Sequence, residues 1–142
     1  MSIYISSDHR GFDLKTEIVK YLESFKLIDL GPEKYNKDDD YPLFAHLLAN
    51  KVSENVDNRG ILICDTGIGM DITANKHKGI RAAICIDEFF AYRARLHNNA
   101  NVLVLSAEYN KDNYKGVIDK FFSTDFSSEE RHKRRVDEID IL

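Results

Sequence analysis

Apolar residues along this chain fall into short continuous runs separated by longer amphipathic or charged stretches. The short runs are rich in branched side chains, which favours strands. They cover residues 2–6, 26–30, 60–64, 80–86 and 101–105. The longer stretches predict helices over residues 12–25, 42–56, 70–76, 87–97 and 112–122, and a terminal helix within the tail, 127–142.

Local signals support these helices. The first predicted helix places several apolar side chains on one face: Leu14, Ile18, Tyr21, Leu22 and Phe25. Pro42 suits the first turn of the second helix, and Asp87 suits the cap of the fourth. The tail ends in an apolar stripe of Ile139, Ile141 and Leu142, which a partner subunit could cover.

Strands that are apolar throughout and alternate with helices are typical of a parallel sheet covered on both faces. Such sheets place their functional sites at the carboxyl ends of the strands. We therefore expect an α/β fold in which four segments share one rim. They are SSDHRG after the first strand, CDTGIGM after the third, IDE after the fourth, and the residues after the fifth.

The loop after the third strand has the features of an anion site. Gly67 and Gly69 let an oxygen approach the backbone closely, and the following helix directs free N–H groups into the same space. The loop lacks the Gly-Lys-Ser/Thr of a phosphate-binding P-loop, and it does not complete G-x-G-x-x-G. Taken without their neighbours, the glycines favour a tight strand-to-helix turn over an anion site.

The two cysteines have different settings. Cys64 ends a strand beside a helix N-terminus, where a thiolate is favoured, whereas the adjacent Asp65 would raise the thiol pKa. A thiol of intermediate pKa could act as a general base. Cys85 lies within an apolar strand and is predicted to be a packing residue.

Histidines and a basic tail add further candidates. His97 closes a helix beside the polar run HNNAN, which suggests either a favourable helix-end charge or a site residue. RHKRR at 131–135 could be a solvated basic face. It could also be a phosphate clamp, because Arg131 and Arg135 share a helix face. Asp38 and Asp39 are interpreted as a solvated loop. The sequence contains no H-x-x-x-H or C-x-x-C spacing, so we do not expect a metal site.

Length and composition limit the classes of function. The chain has 142 residues, 43% of them hydrophobic and 31% charged, which predicts one domain over 1–142. A net charge of −4 argues against nucleic-acid binding, and no apolar run approaches the roughly 20 residues that span a membrane. The N-terminus lacks signal-peptide features, so we expect a cytoplasmic protein with free thiols.

Six segments in order resemble the type B ribose-5-phosphate isomerases, a family that includes the two-subunit galactose-6-phosphate isomerases. They are SDHRGF, DYPLFA, ILICDTGIGMDITANK, GIRAAIC, ARLHNNANVL and RHKRRVDEI, and together they span nearly the whole chain. The resemblance implies a Rossmann-like αβα sandwich with a five-stranded parallel sheet and a C-terminal helix packed on a partner subunit. It further implies a homodimer or homotetramer that interconverts ribose 5-phosphate and ribulose 5-phosphate without metal or cofactor.

The resemblance also implies roles for individual residues. Cys64 would move the proton between C2 and C1, Thr66 would assist proton movement on the oxygens, and His97 would open the furanose ring. The loop amides would hold the enediolate, from Asp65 through Gly67, Ile68 and Gly69 to Met70. The remaining substrate contacts would be Asp8 and Tyr41 with Asn98 on the sugar, and His9, Arg131 and Arg135 on the phosphate.

Three positions depart from the family's common pattern. Asp65 and Asp71 stand where glycine and serine are common, and Glu108 stands where many relatives have an arginine that touches phosphate. Arg10 could compensate for that loss.

Three other functions remain open: a hexose 6-phosphate isomerase, a non-catalytic sugar-phosphate-binding module, and a thiol redox protein. The last would need a resolving cysteine, for which Cys85 is poorly placed.

Overall fold

Five parallel strands form one sheet in the computed structural model, which describes residues 1–141. The strands are β1 (Ile3–Ser7), β2 (Leu27–Asp29), β3 (Arg59–Cys64), β4 (Ala82–Ile84) and β5 (Val102–Ser106). Their order across the sheet is β2-β1-β3-β5-β4. The predicted parallel α/β sheet is therefore confirmed, with β2 and β4 shorter than the apolar runs suggested.

Within residues 1–141, six helices connect and follow the strands. They are α1 (Phe12–Tyr21), α2 (Tyr41–Ser53), α3 (Ile68–Ala74), α4 (Glu88–Asn98), α5 (Tyr114–Ser123) and α6 (Glu130–Ile139). Asp87 caps α4 as predicted, because its side chain accepts the Phe90 N–H. Across residues 1–141 we find no helix with the length and apolarity that a membrane crossing requires. Leu142, the last residue of the predicted tail stripe, lies outside the described residues.

The end of α1 differs from the prediction. The helix stops at Tyr21, and Leu22 still packs in the core, but Phe25 is 54% exposed. The chain turns between them, with the Phe25 N–H donating to the Leu22 carbonyl, in order to enter β2. Placing Phe25 on the buried helix face was therefore wrong.

The side chains of the central strands alternate between two cores. On one face, Ile61, Ile63 and their neighbours pack against α1, α4 and α5. On the other face, Leu62 and Cys64 pack against α2 and α3. Both faces are thus covered by helices, which explains why the strands are apolar at every position. Cys64 belongs to the α2–α3 side.

A crevice is set by the strand order. The chain passes from β1 outward to β2 and then back across β1 to β3, so the sheet is wound in opposite directions from this point. The loops that follow β1 and β3 therefore diverge at the carboxyl edge, where ligands bind in such folds. Gly11 allows α1 to start directly against β3, since a Cβ there would lie 2.5 Å from the Ile63 carbonyl oxygen.

An ion pair between a buried lysine and a partly exposed aspartate joins α1 to the end of β2. The Lys15 side chain is only 3% exposed, and its Nζ lies 2.7 Å from Asp29 Oδ2 and 2.9 Å from the Pro32 carbonyl oxygen. Asp29 also accepts the Gly31 N–H. An ammonium buried to this degree depends on its counter-charge.

We predict that Asp29→Asn lowers the free energy of unfolding by about 2 kcal/mol, because it leaves the Lys15 charge buried without a carboxylate. Urea unfolding at neutral pH measures the loss. The matched control is Glu54→Gln, which breaks the exposed Lys51–Glu54 pair and should cost less than about 0.5 kcal/mol. Equal losses in the two variants would contradict this account of Lys15.

Asp71 lies in the first turn of α3, where burial makes its ionised form unfavourable. One of its oxygens is buried without a hydrogen-bond partner, and the other lies 3.3 Å from Asn75 Nδ2. Burial raises the pKa of Asp71 to about 6 from an ordinary value of 3.8, although the Asn75 amide lowers it. Desolvation therefore outweighs the benefit of an acid at a helix N-terminus.

Because the folded state holds the Asp71 proton more tightly, the ionised carboxylate destabilises the fold above about pH 6, and this penalty disappears below about pH 4. We predict that Asp71→Asn raises the free energy of unfolding by about 1–2 kcal/mol at pH 8 and changes it little at pH 4. Urea titrations at both values measure this. Asp13→Asn, an exposed acid in the first turn of α1, should show no such gain. A pH-independent effect at Asp71 would refute the assignment.

Candidate active site

The Cys64 sulfur lies at the centre of the carboxyl edge. Cys64 is the last residue of β3 and is 6% exposed. The Gly67 N–H donates to its Sγ at 3.2 Å. Gly67 has a φ of +86°, a left-handed conformation that turns the loop directly into α3. The helix consequently begins at Ile68, two residues earlier than predicted.

Opposing effects act on the thiol. Burial raises the pKa of Cys64, the backbone N–H groups of Gly67 and Met70 lower it, the charge of Asp8 raises it, and the Thr66 N–H lowers it; burial is the largest effect. Asp8, rather than the adjacent Asp65, is the acid that acts on the sulfur.

The second cysteine behaves as a packing residue. Cys85 is fully buried, and burial, with smaller effects from Asp71 and Asp87, raises its pKa to about 12. Such a thiol is almost entirely protonated at neutral pH and has no contact with solvent. Both cysteines are free.

The loop after β1 brings a carboxylate beside the thiol. Asp8 is 6% exposed, its backbone N–H donates to the Ile63 carbonyl, and its Oδ1 accepts the Gly11 N–H at 3.0 Å. Burial raises the pKa of Asp8, the Gly11 N–H and the His9 ring lower it, and Asp39 raises it. The carboxylate is thus held between the ends of β1 and β3.

Asp39 is not the solvated loop residue that the acid run suggested. Its side chain is 7% exposed, and its Oδ1 lies 2.6 Å from His9 Nδ1 and accepts the His9 backbone N–H at 3.2 Å. Asp38, next to it, is exposed as expected. Asp8, His9 and Asp39 each offer a possible metal-ligand atom within 4.8 Å of the others, but the His9 nitrogen already bonds Asp39.

Tyr41 and Thr66 complete the near side of the crevice. Tyr41 starts α2, and its ring covers Gly69 so closely that a Cβ on Gly69 would lie 2.6 Å from Tyr41 Cζ. Gly69 is therefore required for the ring to rest on the loop. Thr66 is exposed, and its Oγ1 accepts the Ile68 N–H at 3.4 Å.

Two of the positions that the resemblance marks as departures lie next to each other. Glu108 is exposed beyond β5, and its backbone N–H donates to the Asp65 carbonyl. Arg10 Nη2 lies 3.3 Å from Asp65 Oδ1. The arginine that could replace a lost phosphate contact is thus paired with an acid on the Cys64 loop.

The remaining predicted residues lie at the opposite edge of the sheet in the same chain. Helix α4 starts after β4 and ends at Asn98, just before β5 begins at Val102. Val102 is aligned with Gly60 at the start of β3, whereas Cys64 is aligned with Ser106 at the end of β5. A strand of this length spans about 16 Å. His97 and Asn98 are therefore separated from Cys64 by about the height of the sheet.

His97 has a distinct environment at that edge. Its ring stacks on His132 at 4.3 Å with an interplanar angle of 9°, and Arg93 Nη1 lies 3.1 Å from its Nε2. Desolvation lowers the pKa of His97, as do the charges of His132, Arg93 and Arg131, while Glu129 raises it. His132 itself is 5% exposed, with a buried Nε2 that lacks a hydrogen-bond partner. The basic run alone did not distinguish this buried histidine from its exposed neighbours.

The two candidate phosphate arginines have the arrangement that the spacing predicted. Arg131 and Arg135 are both exposed on α6, while His132 and Val136 form the buried face of that helix. Arg131 Nε lies 2.8 Å from Glu129 Oε2. The other end of α6 is attached by Arg81, whose Nη1 lies 2.6 Å from Asp140. The arginines are consequently presented outward, away from their own Cys64.

Comparisons with known proteins agree with this fold. A structure of ribose-5-phosphate isomerase B from Mycoplasma genitalium, with bound ribulose-5-phosphate, matches with a TM-score of 0.94 and 44% identity over 98% of this chain and 93% of that one. A ribose 5-phosphate isomerase from Thermotoga maritima matches with a TM-score of 0.93 and 39% identity over 99% and 98%. The sequence of ribose-5-phosphate isomerase B from Mycolicibacterium paratuberculosis is 36% identical over 140 residues, 96% of this chain and 88% of that protein.

The family comparison covers the same extent. The family model described as Ribose/Galactose Isomerase matches residues 3–139, from the first residue of β1 to the last residue of α6. The match includes both the crevice around Cys64 and the distant edge that carries His97 and the arginines. This chain belongs to the ribose/galactose isomerase family.

Proposed function

We propose that this chain is an aldose–ketose isomerase that interconverts D-ribose 5-phosphate and D-ribulose 5-phosphate in the non-oxidative pentose phosphate pathway. The observation that carries the proposal is the Cys64 sulfur at the switch point of the sheet, bonded by the Gly67 N–H. Family membership and relatives named as ribose-5-phosphate isomerases support it, one of them with ribulose-5-phosphate bound.

The chemistry requires one base that reaches two adjacent carbons. Cys64 removes the proton from C2 of the open-chain aldose and returns it to C1, while a proton moves from O2 to O1 with help from the Thr66 hydroxyl. The electrons of the broken C2–H bond form the C1=C2 double bond of the enediolate, and the C1 carbonyl oxygen takes the negative charge. Loss of the proton from O2 then forms the C2 carbonyl, while the electrons of the double bond take up the proton at C1. Because burial raises the pKa of the thiol, the thiolate is a stronger base once it forms.

Negative charge develops on the substrate oxygens during this step. Backbone N–H groups of the loop from Asp65 to Met70, together with the N-terminal end of α3, provide donors on the same side as the sulfur. The Gly67 N–H is directed at Cys64 itself, so it stabilises the thiolate. Asp8 and Tyr41 contact the sugar from the two flanking elements.

The distance between the two edges supports a shared site. Ring opening by His97 and phosphate binding by Arg131 and Arg135 cannot take place about 16 Å from the carbons that react. We assign these residues and Asn98 to the site of a second copy, so that a two-fold homodimer forms two equal sites. A homotetramer built from such dimers would keep the same chemistry.

The other assignments follow from this chemistry. The reaction moves protons without net oxidation, so the proposed mechanism uses no metal or cofactor. Two free cysteines are in keeping with a reducing compartment, which supports a cytoplasmic location. We treat residues 1–142 as one isomerase domain, since strands from both halves of the chain interleave in one sheet.

Hexose 6-phosphates remain the second candidate substrates because the family model covers both ribose and galactose isomerases. Turnover of ribose 5-phosphate, allose 6-phosphate and galactose 6-phosphate by the same preparation ranks them. Clearly faster turnover of a hexose phosphate would change the substrate but keep the roles of Cys64 and His97.

Replacing the proposed base tests the mechanism. We predict that Cys64→Ala lowers kcat for ribose 5-phosphate by about 10²–10⁴-fold, because general-base catalysis is lost, while sugar-phosphate binding is largely retained. In deuterated water the unaltered protein should form ribulose 5-phosphate with deuterium at C1, detected by NMR.

Cys85→Ala is the matched control, since it removes the other thiol and should leave turnover close to that of the unaltered protein. Full activity of Cys64→Ala would refute the assignment of the base. A chain that binds ribose 5-phosphate but never isomerises it would instead be a binding module, and thiol or peroxide turnover without any sugar phosphate would indicate a redox protein.

Complementation tests the shared site. Cys64→Ala and His97→Asn should each be nearly inactive alone, but unfolding and refolding them together should restore about one quarter of the original activity. Random pairing makes half of the dimers mixed, and each mixed dimer has one intact site of two. Activity assays combined with mass measurement in solution follow the result.

Mixing two samples of the same variant is the control, because it forms no intact site. If the mixed sample stays inactive while the dimers demonstrably exchange subunits, Cys64 and His97 do not act in one site across the interface.

A further inference from the structure

The His9 ring is held from one side by a single buried carboxylate. Asp39 Oδ1 lies 2.6 Å from His9 Nδ1 and also accepts the His9 backbone N–H at 3.2 Å. The Asp39 side chain is 7% exposed and the His9 side chain 23%. Both the backbone and the ring of His9 are thus anchored to the same oxygen atom.

This contact determines which ring nitrogen is available. A carboxylate oxygen accepts hydrogen bonds, so the 2.6 Å contact places a proton on His9 Nδ1. Nε2 is then the nitrogen left for a ligand. The ring also meets Tyr35 edge-on, with centroids 6.1 Å apart and an interplanar angle of 87°, which restricts its rotation.

The second oxygen of Asp39 has a notable environment. Oδ2 is buried and has no hydrogen-bond partner. A buried carboxylate without full hydrogen bonding is costly for a purely structural loop contact. Its burial beside an imidazole indicates that its negative charge serves that ring.

Other charges nearby increase the need for such a contact. Asp8 lies beside His9, Asp65 engages Arg10, and Glu108 adds a further acid beyond β5. A phosphate that enters this edge would therefore meet several carboxylates. His9 can donate to a phosphate oxygen through Nε2 only with protons on both nitrogens, and Asp39 is then the counter-charge of that cation.

We propose that Asp39 is a positioning residue for phosphate binding: it fixes the His9 ring and supports Nε2 as the donor to the substrate phosphate. The inference about Asp39 rests on the proposed function, with His9 at the phosphate as the family resemblance implies. Asp39 does not touch the substrate itself, so its effect should fall on binding of the phosphate and not on the proton transfer at C1 and C2.

The first test compares Asp39→Asn with Asp38→Asn, a matched change at the exposed neighbour. We expect Asp39→Asn to raise KM for ribose 5-phosphate and the inhibition constant of inorganic phosphate about tenfold each, with kcat within about twofold. Asp38→Asn should change none of these values. Asp39→Glu, which restores a carboxylate, should recover part of the loss.

The second test asks whether Asp39 acts through His9. We expect His9→Gln to weaken phosphate inhibition by a similar factor, and Asp39→Asn to add no further loss in the His9→Gln background. Nitrogen-15 NMR of the His9 ring should show protonated Nδ1 in the unaltered protein, and a change of that signal in Asp39→Asn but not in Asp38→Asn.

Several outcomes would overturn the proposal. They are an additional loss in the double variant, a fall in kcat with unchanged KM, or a His9 ring signal that ignores Asp39→Asn. The NMR measurement and inorganic phosphate binding, followed by calorimetry, need no isomerase activity. An unaltered protein that binds phosphate but does not convert ribose 5-phosphate would therefore defeat the proposed function while the role of Asp39 is still decided.

Discussion

The hydrogen bond from the Gly67 N–H to the Cys64 sulfur depends on the positive φ of Gly67, and much of the crevice depends on that bond. A side chain at position 67 would be strained by the φ and would lie 3.2 Å from the Val104 side chain. The same turn starts α3 immediately, so the helix N-terminus and the sulfur face one space. Burial opposes thiolate formation and the loop amides favour it, and their balance makes a neutral thiol that can become a base.

Acidic and basic side chains are unevenly divided between the two edges of the sheet. The carboxyl edge carries Asp8, Asp39, Asp65 and Glu108 close together, whereas the exposed arginines of α6 lie at the amino edge. A sugar phosphate is itself an anion, so a crevice of this kind needs cations from elsewhere. In the proposed dimer each subunit supplies the acids and the thiol for one site. It supplies His97 and the α6 arginines for the other site. Two-fold symmetry makes that exchange reciprocal.

Two of the positions expected to depart from the family's pattern have a local explanation in the fold. Asp65 is not the acid that governs the thiol, because its carboxylate points to Arg10. Asp71 carries the cost of its own burial, with a pKa of about 6, and it also contributes to the raised pKa of Cys85. Both acids affect the electrostatics beside the crevice, Asp65 through its pair with Arg10 and Asp71 through its buried carboxylate.

The sequence alone determined the α/β class, the parallel sheet and the family, because continuous apolar strands and ordered motifs are local features of the chain. It also determined that Arg131 and Arg135 share a helix face, since that depends only on a spacing of four residues. Which acid of the run 38–40 is buried, and that His132 stacks on His97, were decided by tertiary structure. Neighbours in sequence with equal polarity can differ in burial only through the elements packed against them. For the same reason, only the strand order and register placed Cys64 and His97 at opposite edges of the sheet.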